Sequence, residues 1–309
     1  MKYIVTLMLS IISITKVLAC DVCAGGGGMS SLGFLPNSNF HFVGLTYKLK
    51  TYDTKHPLLF ESDQQIEGKN VFHTTEVFGR YIVSDKIQIL AFIPFHSKTI
   101  DDTELEELQI NNGLGDISLL ANYQIKKSSK LKWFAGIGVK LPTGKSDNLI
   151  NDDLMPNMQL GSGSTDLIVS SNMTYVKDKV GVNTELNYVY TTANKAEYKF
   201  GNQAEITSMA FYKVKKSGRL IIPQAGINYQ YAAKDYIDYS RLKIEKYSGS
   251  SYFNGSLGLD FYTGKNAIRL KYNIPLSGTM TEGYITPKVN GQIQYIRLIK
   301  KTTKNKNNK

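Results

Sequence analysis

Gly138 to Ser146 reads GVKLPTGKS and ends in Gly-Lys-Ser, the residue types that cradle a nucleotide phosphate. A P-loop needs four residues between its first glycine and that tripeptide, so that backbone N–H groups curl round the phosphate at a helix start. Five intervene here, and the downstream DNLINDDLMPNMQLGSGS has Pro156 and no apolar stripe of helical period. Lys145 therefore reads as a solvated loop charge. The only cysteines, Cys20 and Cys23, form CDVC before AGGGG. Ala24 stands where a c-type haem motif needs histidine, and one C-x-x-C pair offers two of the four ligands a structural metal site takes. A lipid on Cys20, a local disulfide and an incomplete metal site stay open for this pair. A hydrolytic triad would need a histidine beside its nucleophile. His41, His56, His73 and His96 are scattered, and in His96-Ser97 adjacent strand residues point to opposite faces. These residues predict neither an enzyme nor a cofactor.

The ends of the chain carry their own signals. MKYIVTLMLSIISITKVLAC has Lys2, an apolar run and a small-residue exit at Val17-Leu18-Ala19, the layout of a secretory signal spanning residues 1–19. Residues 20–39 read as a flexible Cys/Gly-rich segment, 40–299 as the folded body and 300–309 as a Lys-rich disordered tail. The formal charge of +11 resides largely in turns and in that tail. An exported chain makes a poor nucleic-acid partner, and none is expected. Mean hydropathy is −0.23 and no later stretch is apolar for about 18 residues, so no helical membrane span is predicted.

From Phe40 onward the chain alternates with period two. DISLLANYQI sets Ile117, Leu119, Ala121, Tyr123 and Ile125 against Asp116, Ser118, Asn122 and Gln124; KLKWFAGIGVKL and VGVNTELNYVY behave alike. About twelve such runs begin near Phe40, Val71, Ile87, Asp116, Lys130, Thr165, Val180, Ala204, Arg219, Tyr252, Ala267 and Val289. Their connections alternate between short (SDK, KKSSK, KDK, KKSG, TGKN) and long, as in outer-membrane barrels with short periplasmic turns and long outer loops. The fold class predicted is all-β, an antiparallel up-and-down transmembrane barrel. On the apolar face Tyr81, Tyr123, Trp133, Tyr175, Tyr212, Phe261 and Tyr295 fall near the short turns. Tyr47, Phe95, Tyr188, Tyr229 and Tyr272 fall toward the long loops, giving two interfacial girdles.

FHFVGLTYKLKTY, FHTTEVFGRYIVSDKIQILAFIPF, GLGDISLLANYQI, GIGVKLPTGKSD and QLGSGSTDLIVSSN, with CDVCAGGGG ahead of them, resemble the outer-membrane barrels of the meta-pathway phenol-degradation family. The resemblance covers roughly Cys20 to Tyr175, and its motifs mark strands and turns. It implies an outer-membrane channel passing small organic molecules and supplies no catalytic residues. Such barrels usually finish on an aromatic, whereas here Tyr295 is followed by IRLIKK.

The polar face then points inward. Its charged members are Glu76, Arg80, Asp116, Lys132, Lys140, Asp166, Glu185, Glu205, Lys213, Asp260, Arg269 and Lys271, six acidic and six basic, so no single-sign ring is expected. Most of these read as structural pairs, and inward Gly136, Gly138, Gly226 and Gly258 make room for bulky neighbours. The expected function is an outer-membrane channel or transporter for small solutes in a Gram-negative bacterium, with membrane lipid and the solute as partners. A loop-borne surface-binding or structural role, and less so a hydrolase, are the alternatives; oligomeric state is not legible.

Overall fold

The protein is described from a computed structural model, which covers residues 40–57, 65–102, 108–147, 149–150, 153–154, 156–244 and 248–300. Residues 1–39, with Cys20 and Cys23, and residues 301–309 lie outside the described residues. Twelve antiparallel strands close into one barrel. They are β1 (Phe40–Pro57), β2 (Gln65–Ile82), β3 (Ile87–Asp102), β4 (Ile117–Lys127), β5 (Leu131–Leu141) and β6 (Asp166–Lys177). The second half comprises β7 (Val180–Tyr190), β8 (Gln203–Tyr212), β9 (Arg219–Ala232), β10 (Ser250–Thr263), β11 (Asn266–Met280) and β12 (Ile285–Lys300). Each strand pairs with its sequence neighbour, and β1 pairs with β12 from Phe40↔Lys300 to Thr54↔Ile285. Closure leaves no unpaired edge, which hydrocarbon demands because no water is there to satisfy free amides.

The strands are tilted. Stepping across paired residues from Phe42 through Arg80, Leu90 and Leu120, and so on round to Ile285, returns to β1 at Thr54, far above the start. That stagger is what curls a flat sheet into a cylinder.

Alternation does the sorting. On β5 and β6, Ile137, Leu167, Val169 and Met173 face outward and exposed, while Lys140, Asp166, Ile168 and Ser170 face inward and buried. Both aromatic sets lie on the outer surface: Tyr81, Tyr123, Trp133, Tyr175, Tyr212 and Tyr295 are exposed beside the short turns, and Tyr47, Phe95, Tyr188 and Tyr272 toward the long loops. His41 stacks on Tyr81 at 4.8 Å, and His73 Nδ1 lies 2.7 Å from Tyr47 Oη, so both histidines belong to this outer surface. Ile137 is 65% exposed in the middle of β5. Ile137→Arg is expected to cost about 2–4 kcal/mol, as a cation at mid-depth on a lipid face does. Urea unfolding in lipid vesicles measures it; an unchanged midpoint would place this residue away from hydrocarbon.

Three elements differ from the sequence reading. β2 begins at Gln65 and β12 at Ile285, both earlier than Val71 and Val289. Gln109–Leu114 is a strand on β3, separated from β4 by Gly115-Asp116. In each case the added residues mix polar types with single apolar ones such as Ile110 and Ile285, so backbone pairing holds them without a continuous hydrophobic stripe to announce it.

The interior is partly apolar. Phe42, Phe78, Leu90, Phe92, Leu120 and Ile168 stand on the inward face of β1–β6, and Phe211, Ile222, Tyr262, Ala267 and Ile296 continue the same cluster on the remaining strands. Phe78 sits edge-on to Phe42 at 5.6 Å and stacks on Phe92 at 6.3 Å. Its ring fills the space over Gly44, where a Cβ would lie 2.5 Å away. Burial this complete means that this level of the barrel is packed by side chains.

Candidate functional site

The remaining interior is polar, and its shape follows from how inward side chains bond across strands. On β6–β10 amides and hydroxyls form a ladder. Asn172 donates to Glu185 at 2.7 Å, Thr174 to Asn183 at 2.6 Å, and Asn228 to Glu205 at 2.7 Å and Thr207 at 2.8 Å. Gln230 reaches the same Glu205 oxygen at 3.3 Å, and Asn254 donates to Asn228 at 3.0 Å. Each carboxylate is thus fixed by neutral donors, which satisfy it without cancelling its charge.

Farther round, Arg269 Nε lies 3.0 Å from Asp260 Oδ2, Arg269 Nη1 donates to Gln294, and Gln294 donates to Thr46 at 3.1 Å. This relay ties β10, β11, β12 and β1. Between ladder and relay lies a recess lined by Asn183, Gln224, Asp260, Arg269, Lys271 and Gln292, with about 360 Å³ of atom-free space, part of it open to solvent. Glu76, whose partner the sequence left open, lies 3.5 Å from Lys48. Arg80 Nη2 donates to the Phe40 carbonyl at 2.7 Å, and its guanidinium lies 4.8 Å over the Phe42 ring. Lys132 stands within electrostatic range of Lys127, Arg80 and Lys213, which makes the short-turn end of the interior basic.

Asp116, Lys140 and Asp166 come together at the opposite end. Lys140 Nζ lies 2.7 Å from Asp166 and 3.9 Å from Asp116, all three side chains nearly inaccessible. Asp116 accepts the Ser162 N–H and hydroxyl at 2.7 Å and the Gly144 N–H at 3.1 Å. Asp166 accepts Ser164 at 2.8 Å and the Thr192 N–H at 3.0 Å. The long connection after β5, read from sequence as a surface loop, therefore folds inward: Met158, Gln159, Leu160 and Ser162 are buried against the barrel mouth. Lys98 Nζ donates to the carbonyls of Asn157 and Gln159, and Asn111 to that of Met158 at 2.7 Å. Lys145 keeps its side chain exposed while its carbonyl accepts the Leu160 and Gly161 N–H groups.

With these anchors removed the loop should loosen locally. Lys98→Met is expected to raise amide exchange at Leu160 and Gly161 about tenfold while strand amides keep their protection. Unchanged exchange would show that Lys98 does not hold the loop.

The inward glycines work as spacers. A Cβ on Gly136 would lie 1.8 Å from the Asn122 amide oxygen, and one on Gly138 2.8 Å from the Leu120 side chain. His96 is inward too, with Nδ1 2.9 Å from Thr74 Oγ1, while Ser97 points the other way. Sequence reasoning missed Lys48, Lys50, Lys98 and the inward-folding loop. The lysines could have been found, since they alternate in phase with the inward positions of β1 and β3.

Comparison with known proteins fits this architecture. The family described as "Putative MetA-pathway of phenol degradation" matches residues 60–279. The chain belongs to that family. Among solved structures, the COG4313 outer membrane channel from Pseudomonas putida F1 superposes with a TM-score of 0.64 at 14% identity, over 87% of this chain and 98% of that one. The β domain of the Bordetella autotransporter BrkA gives 0.49 at 8% identity over 85% and 100% of the two chains. The transport unit of Escherichia coli AIDA-I gives 0.47 at 12% identity over 89% and 94%. No curated protein matches. The Pseudomonas likeness shows that this member of the phenol-degradation family shares a closed β-barrel fold with an outer-membrane protein.

Proposed function

We propose that this barrel is a channel of the Gram-negative outer membrane, passing small solutes through its polar interior. The observation that carries the reading is the pairing of an apolar outer surface with an inner wall of bonded amides and charges beside an open-sided recess. A soluble protein would place its aromatic faces inside; here they face out in two girdles. The family is described by phenol degradation and the Pseudomonas protein is an outer membrane channel, which supports a small organic solute. The Asp116–Lys140–Asp166 cluster sets the mouth by holding the inward loop, and the Phe78 layer narrows the other end. The twelve inward charges act mainly as wall: Glu76, Asp116, Lys140, Asp166, Asp260 and Arg269 in close pairs, and Glu185, Glu205 and Lys271 toward the solute.

Purified protein in planar bilayers should give discrete conductance steps, and the native protein should fractionate with the outer membrane and migrate heat-modifiably on a gel. A folded barrel that never conducts at any voltage would contradict the channel reading, and loop-dependent ligand capture without conductance would favour a surface-binding role.

A further inference from the structure

The short turns carry charge of one sign. Each holds at least one exposed lysine, from Lys86 in the first to Lys265 in the last, and Asp85 and Asp178 are their only acids. The direction in which these cations leave the barrel identifies what they meet. Lys126 stands opposite outward Trp133 in the β4–β5 register, and Lys177 lies two residues beyond Tyr175 on β6. Arg297 lies two beyond Tyr295 on β12, and Lys216 two beyond outward Val214 after β8. All four are exposed, and since side chains on a strand repeat every second residue they share the phase of the lipid-facing surface. Among the described residues Lys126, Lys177 and Lys216 make no ion pair. Arg297 Nη1 donates to Asn266 at 2.7 Å, and the Tyr295 hydroxyl donates to the same oxygen, which holds this guanidinium against the outer wall.

The opposite rim is built differently. Lys69, exposed on β2, lies between Asp53 on β1 and Asp101 on β3, and Lys288 reaches Asp53 at 2.9 Å. These cations are matched by the protein's own acids. At the short-turn end the aromatic girdle sets its rings at headgroup level, so cations next to those rings or two residues beyond them fall at the depth of the lipid phosphates. A soluble acidic partner would meet the tips of the turns. Positions on the flank, in phase with Trp133, Tyr175 and Tyr295, meet lipid first.

We propose that Lys126, Lys177, Lys216 and Arg297 bind the phosphate groups of anionic phospholipids in the leaflet that adjoins the short turns. The inference rests on the membrane barrel and is independent of what passes through it. Trp133, the single tryptophan, reports on the lipid beside Lys126. The full chain is refolded into phosphatidylcholine vesicles, and Trp133 quenching is titrated with phosphatidylglycerol or phosphatidylcholine brominated at the same shallow acyl position.

Phosphatidylglycerol should be enriched at Trp133 about fivefold over phosphatidylcholine, the factor that one cation beside a charged surface contributes. Raising salt to about 1 M, where the screening length is about 3 Å, should remove most of the preference. Lys126→Gln with Lys177→Gln should bring it to near parity, whereas Lys69→Gln at the loop end should leave it intact; heat-modifiable migration verifies that each variant is folded. Equal quenching by the two lipids in the parent protein, or a preference that survives the double substitution, would overturn the proposal and leave the membrane barrel standing. Absence of quenching by either lipid would sink both.

Discussion

Replacing Lys140 with methionine is expected to lower the stability of the folded barrel by about 3–5 kcal/mol, the usual consequence of removing one member of a buried ion pair. Lys140 is the cation that lies 2.7 Å from Asp166 and 3.9 Å from Asp116. Without it the hydrogen bonds left to the two buried carboxylates come from N–H and hydroxyl donors, and the Lys199 ammonium acts on Asp166 only through space. Methionine keeps most of the aliphatic volume, so the loss reports charge and not a cavity. Because Asp116 also binds Ser162 and Gly144, the loop folded into the mouth should detach with the pair, raising single-channel conductance. Urea unfolding in vesicles gives the first effect and planar-bilayer recording the second. A variant of unchanged stability would mean that the cluster is solvated and does not organise the mouth. Asp116→Asn and Asp166→Asn added to Lys140→Met should recover part of the loss, since both uncompensated charges are then gone.

Phe78→Ala should act on the other end of the interior with comparable size. Phe78 is 1% exposed, packs on Phe42 and Phe92, and covers Gly44. Truncating a buried phenylalanine costs about 3–5 kcal/mol through lost burial and the cavity left behind. In a barrel that cavity lies along the axis, so conductance should rise together with the loss of stability. Phe78→Leu, which keeps most of the apolar contact, should retain most of both properties. A Phe78→Ala protein as stable as the parent would show that the ring projects into water and that the apolar layer is no constriction.

The outer surface of this molecule was written in its sequence because a membrane imposes one rule on every strand. Alternation at Ile117, Leu119, Ala121, Tyr123 and Ile125 identified the lipid face of β4, and the recurrence of tyrosine near each short turn located the interface. The inner surface obeys no such single rule. Leu120, Phe78 and Phe92 occupy inward positions that the polar pattern of their neighbours hides, and they are placed by one another across strands rather than by local spacing. The inward loop was least legible, since the groups that Lys98 and Asn111 hold are backbone carbonyls of Asn157, Met158 and Gln159, which every residue type carries. The partners of the charged residues depend on strand stagger, which local spacing does not carry. Glu76 therefore meets Lys48 on the neighbouring strand, and Arg80 goes to a carbonyl and a ring.

Trp133 is the single tryptophan of the chain, 38% exposed on the outer face of β5 near the short turns, with its indole N–H donating to Ser171 at 3.0 Å. In vesicles containing lipids brominated at graded depths along the acyl chain, its fluorescence should be quenched most strongly by the shallowest bromines and little by aqueous iodide. Quenching by iodide with none from any brominated lipid would mean that this face meets water, and the oily-outside barrel would have to be abandoned.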